Sequence, residues 1–182
     1  MGFPTIIVCA LAVTGAVWDL RTGRIPNGLT IPALVAGLFY AIGHDFLLWS
    51  LAGALLGGGL YLLLGLAGGM GGGDVKLGAA LGAWGGFPFA AVMLVLASVA
   101  GGVQALWATR HAWLAAAMAL LSGRGIQNAY AVFRQAYEPE KTVPYGVAIG
   151  TGALAAVIWP MLPGTVGAMG RDIYALFASI AP

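Results

Sequence analysis

Long apolar runs, separated by short polar segments, dominate the chain and predict a series of helices. The runs lie at about 3–18, 29–43, 47–67, 74–84, 89–109 and 143–161. A helix that spans a membrane needs about 20 mostly apolar residues, within a range of roughly 17–25. The GGFP sequence at 85–88 separates the fourth run from the fifth, because paired glycines and prolines interrupt helices. The pattern predicts an all-α integral membrane protein with about six transmembrane helices.

The segments outside these runs are more polar and predict helices at the membrane surface. Residues 110–123 (RHAWLAAAMALLSG) form a shorter run that we expect to lie partly in the interface. Residues 123–142 are the most polar stretch, so we interpret 110–142 as a cytoplasmic loop that contains an interfacial helix. The tail at 165–180 predicts a seventh, interfacial helix. No repeat or second soluble domain is visible, and we interpret 1–182 as a single polytopic domain.

The composition supports the membrane interpretation. Of the 182 residues, 60% are hydrophobic and 8% are charged, whereas a soluble domain usually has about 25% charged residues. The mean hydropathy is +0.93. The net charge of +2 is too small to indicate a nucleic-acid partner, and the lone Cys9 excludes both an intramolecular disulfide and a zinc site made of several cysteines. We predict membrane lipids as neighbours, and no nucleic acid, metal or cofactor.

The basic residues are distributed unevenly between the two ends of the predicted helices. Seven of the eight fall on one side, namely Arg21, Arg24, Lys76, Arg110, Arg124, Arg134 and Lys141. An excess of Lys and Arg marks the cytoplasmic side of a membrane protein. The pattern therefore predicts that the N-terminus lies outside. Only Arg171 lies on the outer side, and we expect it to form an ion pair with the adjacent Asp172.

Two of the six acidic residues differ from the rest in their position. Asp19 ends the first predicted helix and Asp74 begins the fourth, so both lie where an apolar helix meets the predicted cytoplasmic face. Ionisable groups at membrane depth are costly and are candidates for function. For each aspartate alone a structural role stays open, Asp74 as a helix cap and Asp19 as the partner of Arg21 or Arg24. The GGMGGG sequence before Asp74 favours function, since glycines permit a close backbone approach.

The sequence leaves few kinds of chemistry for such a pair. It contains no HExxH, GxSxG or P-loop motif, and no serine is convincingly placed with either histidine. Two neighbouring carboxylates can nevertheless activate water: one takes a proton from it, while the protonated partner donates to the carbonyl under attack. The residues therefore favour an aspartic peptidase. The alternative is a non-catalytic transporter or assembly factor, in which the paired acids would carry protons or cations.

Three segments of the chain resemble parts of one known family. They are WDLRTGRIPNGLT at 18–30, GMGGGDVKLGAALGAWGG at 69–86 and VPYGVAIGTGAL at 143–154. The first two resemble the signature regions of type IV prepilin peptidases, which are GxGD membrane aspartic proteases. The third resembles the Pro-Tyr/Phe-Gly segment of that family. The GxGD motif ends at Asp74 and, combined with the D-x-R-x-x-x-I-P-N pattern that begins at Asp19, gives a resemblance that spans nearly the whole chain.

The resemblance implies a membrane endopeptidase that cleaves the N-terminal leader of prepilin or pseudopilin precursors at the cytoplasmic face of a prokaryotic inner membrane. It implies that Asp19 and Asp74 are the catalytic pair, and that Gly71 and Gly73 shape the loop that receives the substrate backbone. Lys76 either meets an acidic group of the substrate or reaches lipid headgroups. No cofactor is implied. The alternative of a non-catalytic function then includes a pilus assembly factor.

The chain departs from the larger members of this family in one region. Those members carry a cytoplasmic domain with two Cys-x-x-Cys pairs, and they also methylate the new N-terminus. This chain has one cysteine and about nine residues between its first two predicted helices, so it resembles the compact, peptidase-only members that serve tight-adherence (Flp-type) pili. N-methyltransferase activity is therefore not expected. In the same linker, we expect Asn27 to cap the second helix.

Overall fold

The computed structural model describes residues 2–67, 70–123, 125–136 and 144–179, and the regular elements within these ranges are helices. They are α1 (Phe3–Thr22), α2 (Asn27–Ile42), α3 (Leu47–Leu66), α4 (Gly72–Ala108), α5 (Arg110–Leu121), α6 (Gly125–Ala136), α7 (Tyr145–Ile158), a 3-10 turn (Trp159–Met161) and α8 (Gly164–Ser179). The all-α prediction is confirmed. The predicted ends of the apolar helices lie within four residues of the observed ends.

Within the described ranges, three helices are long and apolar enough to cross a membrane, namely α1, α3 and α4. The helix α2 is also apolar but shorter, as is α7 with its 3-10 turn. The helix α4 has 37 residues and would be about 56 Å long if it were straight. A bilayer has a hydrocarbon core of only about 30 Å, so α4 is much longer than one straight crossing requires.

The bend in α4 lies at Gly86. This residue has φ 76° and ψ −179°, which interrupts the helical geometry, and Pro88 follows it. Glycine is required here, because L-residues with a side chain rarely adopt such a φ and a Cβ would lie 2.6 Å from Cζ of Phe46. The predicted break at 85–88 is therefore confirmed, and the two helices predicted on either side of it are the two arms of α4.

The helices α3 and α4 pack backbone against backbone through glycines. A Cβ added to Gly78 would lie 2.6 Å from the carbonyl oxygen of Gly57, and one added to Gly82 would overlap Gly53. The contact residue on α4 lies one turn earlier in the sequence when the contact residue on α3 lies one turn later. The two helices are therefore antiparallel. Small residues allow this close approach between membrane helices.

We expect Gly57→Ala to destabilise the protein and Gly59→Ala, two residues further along the same helix, to leave it as stable as the parent. A Cβ at position 57 would overlap the carbonyl of Gly78, whereas one at position 59 has nothing within 4 Å. Overpacking of this kind usually costs about 1–3 kcal/mol. Thermal unfolding of the two variants in detergent checks the expectation, and equal melting temperatures would contradict the close contact between α3 and α4.

The helix α1 lies between α7 and α4. On one side, a Cβ added to Gly150 of α7 would lie 2.7 Å from the carbonyl oxygen of Ala12. On the other, a Cβ added to Gly15 of α1 would lie 2.9 Å from a methyl group of Leu77 in α4. The buried core of this region includes Val8, Leu77, Leu81, Met93 and Ile149. Packing on both sides fixes the path of α1 and therefore the position of its C-terminal end.

Residues Gly101–Val143 form a compact unit distinct from the unit made of Met1–Ala100 and Pro144–Pro182. Within it, α5 and α6 pack against each other, and the ring centroids of Trp113 and Phe133 lie 4.7 Å apart. Both helices fall in the segment predicted as a cytoplasmic loop with an interfacial helix. Four of the charged residues in this segment lie outside the described residues: Arg124, Glu138, Glu140 and Lys141.

Candidate active site

Asp19 lies in the last turn of α1. The helix continues to Thr22, four residues past the predicted end, and is followed by Gly23, whose φ of 63° is in the left-handed region. The Gly23 amide donates to the carbonyl oxygen of Asp19 at 2.8 Å, as in many helices that end with glycine. The Asp19 side chain is only 7% exposed. A carboxylate that is buried to this degree needs hydrogen-bond donors nearby.

The Asp19 side chain accepts from the start of α7, where the backbone amides of Gly146 and Val147 both act on it. The N–H of Gly146 donates to Oδ2 of Asp19 at 2.8 Å. Gly146 is the second residue of α7, and the first amides of a helix have no partner within it. A Cβ at position 146 would lie 2.8 Å from the same oxygen. The glycine of the VPYG sequence therefore supplies the hydrogen bond and also the space that the Asp19 side chain occupies.

Asp74 lies in the first turn of α4 and is 8% exposed. Its Oδ2 accepts a hydrogen bond from the amide of Gly71 at 3.2 Å, while its own amide donates to the Gly71 carbonyl at 3.1 Å. This is the geometry in which the third residue of a helix reaches back to the residue before the helix. Asp74 is thus held by the glycine that precedes α4, and within the described part of the chain its other carboxylate oxygen accepts no hydrogen bond.

The two aspartates line one cavity of about 400 Å³. The remaining lining comes from the linker after α1 and from the start of α4, and consists of Gly23, Arg24, Ile25, Gly71, Gly72 and Gly73. The carboxyl groups are close enough to interact electrostatically. Residues that are 55 positions apart in the sequence are thereby brought together, as expected from their predicted common depth at the ends of two helices.

Neither carboxylate forms an ion pair with a basic residue in the described part of the chain. Asp19 therefore does not serve as the partner of Arg21 or Arg24, which was the structural alternative for this residue. Both carboxylates are oriented by backbone amides, and those amides carry no full charge. Such an arrangement holds the side chains in place without neutralising them.

The predicted substrate-binding glycines differ in their surroundings. A Cβ added to Gly73 would lie 3.1 Å from Cβ of Ile25 and 3.2 Å from its amide nitrogen, so the backbone that approaches Gly73 is that of the α1–α2 linker. Gly71 is in contact with the Asp74 carboxylate that its amide binds. Both glycines line the cavity. Their role in receiving a substrate backbone stays a prediction.

Lys76 contacts the start of α2 and does not line the cavity. Its Nζ donates a hydrogen bond to Oδ1 of Asn27 at 2.8 Å. The prediction that Asn27 caps α2 is wrong: the residue at the cap position is Pro26, no side chain caps this helix end, and Asn27 is the first helical residue. The Asn27 side chain instead connects α2 to the first turn of α4.

A larger cavity, of about 720 Å³, lies near the opposite end of α1 and contains neither aspartate. Aromatic residues and His44 contribute to its lining, together with Arg171. The guanidinium of Arg171 donates to the carbonyl of Pro160 at 3.0 Å. The predicted ion pair between Arg171 and Asp172 is wrong, because neighbouring residues of a helix point in different directions and Asp172 lines another surface pocket.

The fold and the site define a helical membrane protein with a pair of buried aspartates, one at the end of α1 and one at the start of α4. The chain belongs to the type IV leader peptidase family, whose sequence profile matches residues 6–106. This stretch includes both aspartates and ends before α7. The resemblance inferred from the sequence motifs is therefore confirmed. Among the described residues, no cluster of three His, Cys, Asp or Glu side chains is arranged to hold a metal ion.

Two proteins with leader peptidase in their names are similar to this chain. The prepilin leader peptidase/N-methyltransferase of Burkholderia pseudomallei (strain 1026b) is 38% identical over 113 residues, which cover 56% of this chain and 36% of the relative. The leader peptidase HopD of Escherichia coli is 35% identical over 102 residues, which cover 51% of this chain and 66% of that protein. The match thus spans about a third of the Burkholderia protein. No solved structure matches the chain.

Proposed function

We propose that the protein is a membrane aspartic endopeptidase that removes the N-terminal leader from prepilin-like precursors. The observation that carries this proposal is the meeting of Asp19 and Asp74 in one cavity, with each carboxylate held by a backbone amide. Membership of the leader peptidase family and the names of the relatives support the same activity.

The chemistry follows from two carboxyl groups that share a confined space. One carboxylate accepts a proton from a water molecule, which then attacks the carbonyl carbon of the scissile peptide bond. The other, protonated, donates its proton to the carbonyl oxygen as negative charge develops there. The amides of Gly71 and Gly146 each hold one oxygen of a carboxyl group before the substrate arrives. No covalent intermediate is needed.

The proposed location is the cytoplasmic face of a prokaryotic inner membrane, with the N-terminus outside. The topology predicted from the sequence puts seven of the eight basic residues on the side that would carry the aspartates, which supports this orientation. A prepilin leader is short and basic, and it stays in the cytoplasm until it is cleaved, so a site on this side would meet it. Glycines line the cavity on the Asp74 side. A Cβ at Gly72 would meet nothing within 4 Å, so this part of the lining leaves space for an extended substrate backbone.

Co-expression with candidate prepilins tests this function. The host would lack its own prepilin peptidase, and mass spectrometry would identify the N-terminus of the pilin recovered from its membranes. We expect the leader to be removed, and the same spectrum reports whether the new N-terminus is methylated. Intact precursors in membranes that contain the folded protein would count against a peptidase and favour a non-catalytic role in transport or pilus assembly.

A further inference from the structure

Tyr61 is a buried residue of α3 to which the mechanism above gives no role. It is only 4% exposed. Its hydroxyl is the buried side-chain polar atom that finds no hydrogen-bond partner among the residues that the structure describes. A buried hydroxyl without a partner is costly and rare in native proteins, and it calls for an explanation.

The packing of α3 on α4 places Tyr61 opposite Asp74. Gly53 faces Gly82, and Gly57 faces Gly78, four residues further along α3 and four residues back along α4. One more turn in the same register brings position 61 opposite position 74. The Tyr61 ring packs on Gly78, one turn of α4 from Asp74, since a Cβ at Gly78 would lie 2.6 Å from Cδ2 of that ring. The phenol group and the Asp74 carboxylate interact electrostatically.

We propose that Tyr61 is a positioning residue, whose hydroxyl donates a hydrogen bond to the Asp74 carboxylate when substrate occupies the cavity. Asp74 is then held on both sides, by the Gly71 amide from its own chain segment and by a phenol from the neighbouring helix. A phenol is suited to this task, since it carries a donor and its ring packs on Gly78. The proposal rests on the peptidase function above and adds a third group to the two aspartates.

Two hydrogen bonds constrain a carboxylate more than one does. When the Gly71 amide is the single donor, the Asp74 carboxylate can still rotate about that hydrogen bond. The second donor would fix the plane of the carboxylate, and so the direction in which it exchanges a proton during the reaction. Tyr61 would not touch the substrate in this arrangement, so its contribution belongs to the chemical step and leaves substrate binding unchanged.

Tyr61→Phe removes the hydroxyl and keeps the ring that packs on Gly78. We expect kcat for leader cleavage to fall about ten- to hundredfold, which corresponds to the loss of one hydrogen bond to a charged group, with KM within about twofold of the parent value. The variant should unfold no more easily than the parent, because the oxygen it lacks has no partner in the described residues. With an uncleavable prepilin peptide bound, the infrared carboxylate band that disappears in Asp74→Asn should shift in Tyr61→Phe.

Tyr174→Phe is the matched control. Its hydroxyl donates to the carbonyl of Ala156 at 3.1 Å, and its side chain lines the larger cavity at the far end of α1. Tyr174→Phe also removes a phenol oxygen, but at a cavity that contains neither aspartate, so kcat should be unchanged. An unchanged kcat and an unshifted carboxylate band in Tyr61→Phe, in a parent protein that does cleave prepilin, would overturn the role of Tyr61 and leave the peptidase function intact. A parent protein that cleaves no prepilin would instead overturn the proposed function.

Discussion

Replacement of Asp19 or of Asp74 by asparagine is expected to abolish leader cleavage and to leave the protein folded in the membrane. An amide neither accepts nor releases the shuttled proton near neutral pH, and loss of a general acid or base usually lowers the rate about a hundred- to ten-thousandfold. Because the two carboxylates act as a unit, the double variant should be little worse than either single one. Mass spectrometry of a co-expressed prepilin, at matched enzyme level, measures the effect.

Asp45→Asn is the control for this pair of substitutions. Asp45 lies between α2 and α3 and has a φ of 54°, a conformation that asparagine also tolerates. It does not line the candidate site. Cleavage should therefore proceed at the parent rate in this variant. Near-normal cleavage in Asp19→Asn or in Asp74→Asn would rule out the two-aspartate mechanism.

Substitution of Gly146 by alanine is expected to lower cleavage per folded molecule about a hundredfold. The added methyl group would lie 2.8 Å from Oδ2 of Asp19, so either the carboxylate turns away or α7 moves and its amide hydrogen bond is lost. Displacement of a reacting group by about 1 Å can reduce a rate by this amount. The effect should appear in kcat, since the substrate would still bind.

Gly150→Ala separates this effect from general damage to the α1–α7 packing. Gly150 lies one turn further along α7, and a Cβ there would press on the carbonyl of Ala12 without reaching a carboxylate. Both variants should lose thermal stability, as overpacked helices usually do. Only Gly146→Ala should lose activity beyond its loss of folded protein. Equal activity per folded molecule in the two variants would show that the amide of Gly146 is dispensable.

The helices and the aspartate pair were predictable because both follow from local patterns. Apolar runs of sufficient length set the helices, and the GGFP sequence set the bend at Gly86. The meeting of Asp19 and Asp74 followed from depth: helices that cross a layer of fixed thickness bring their ends to the same two planes. Asp19 ends one helix and Asp74 begins another, on the same predicted side. The two acids therefore come together if their helices are neighbours.

The groups that orient the aspartates were not predictable from local patterns, because they depend on which helices touch. Gly146 lies in a recognised motif, yet nothing near it in the sequence indicates that its amide faces Asp19. Asn27 was predicted to cap its own helix, as asparagine often does at a helix start. Its side chain instead accepts a hydrogen bond from Lys76 of α4. Tyr61 has one signal in the sequence, a polar group in a mostly apolar helix at the same four-residue spacing as Gly53 and Gly57.

Because Asp19 depends on α7 for its hydrogen bond, the order in which the helices are synthesised decides when the site can form. A ribosome that has passed residue 74 has already made both carboxyl groups, but residue 146, whose amide holds Asp19, follows only after α4, α5 and α6. Chains begin to fold from the N-terminus while they are still being synthesised. A half-made chain would therefore hold its acids without the geometry for cleavage. Late arrival of α7 would then protect the neighbours of the proposed peptidase during its synthesis, as a removable propeptide protects those of a secreted protease.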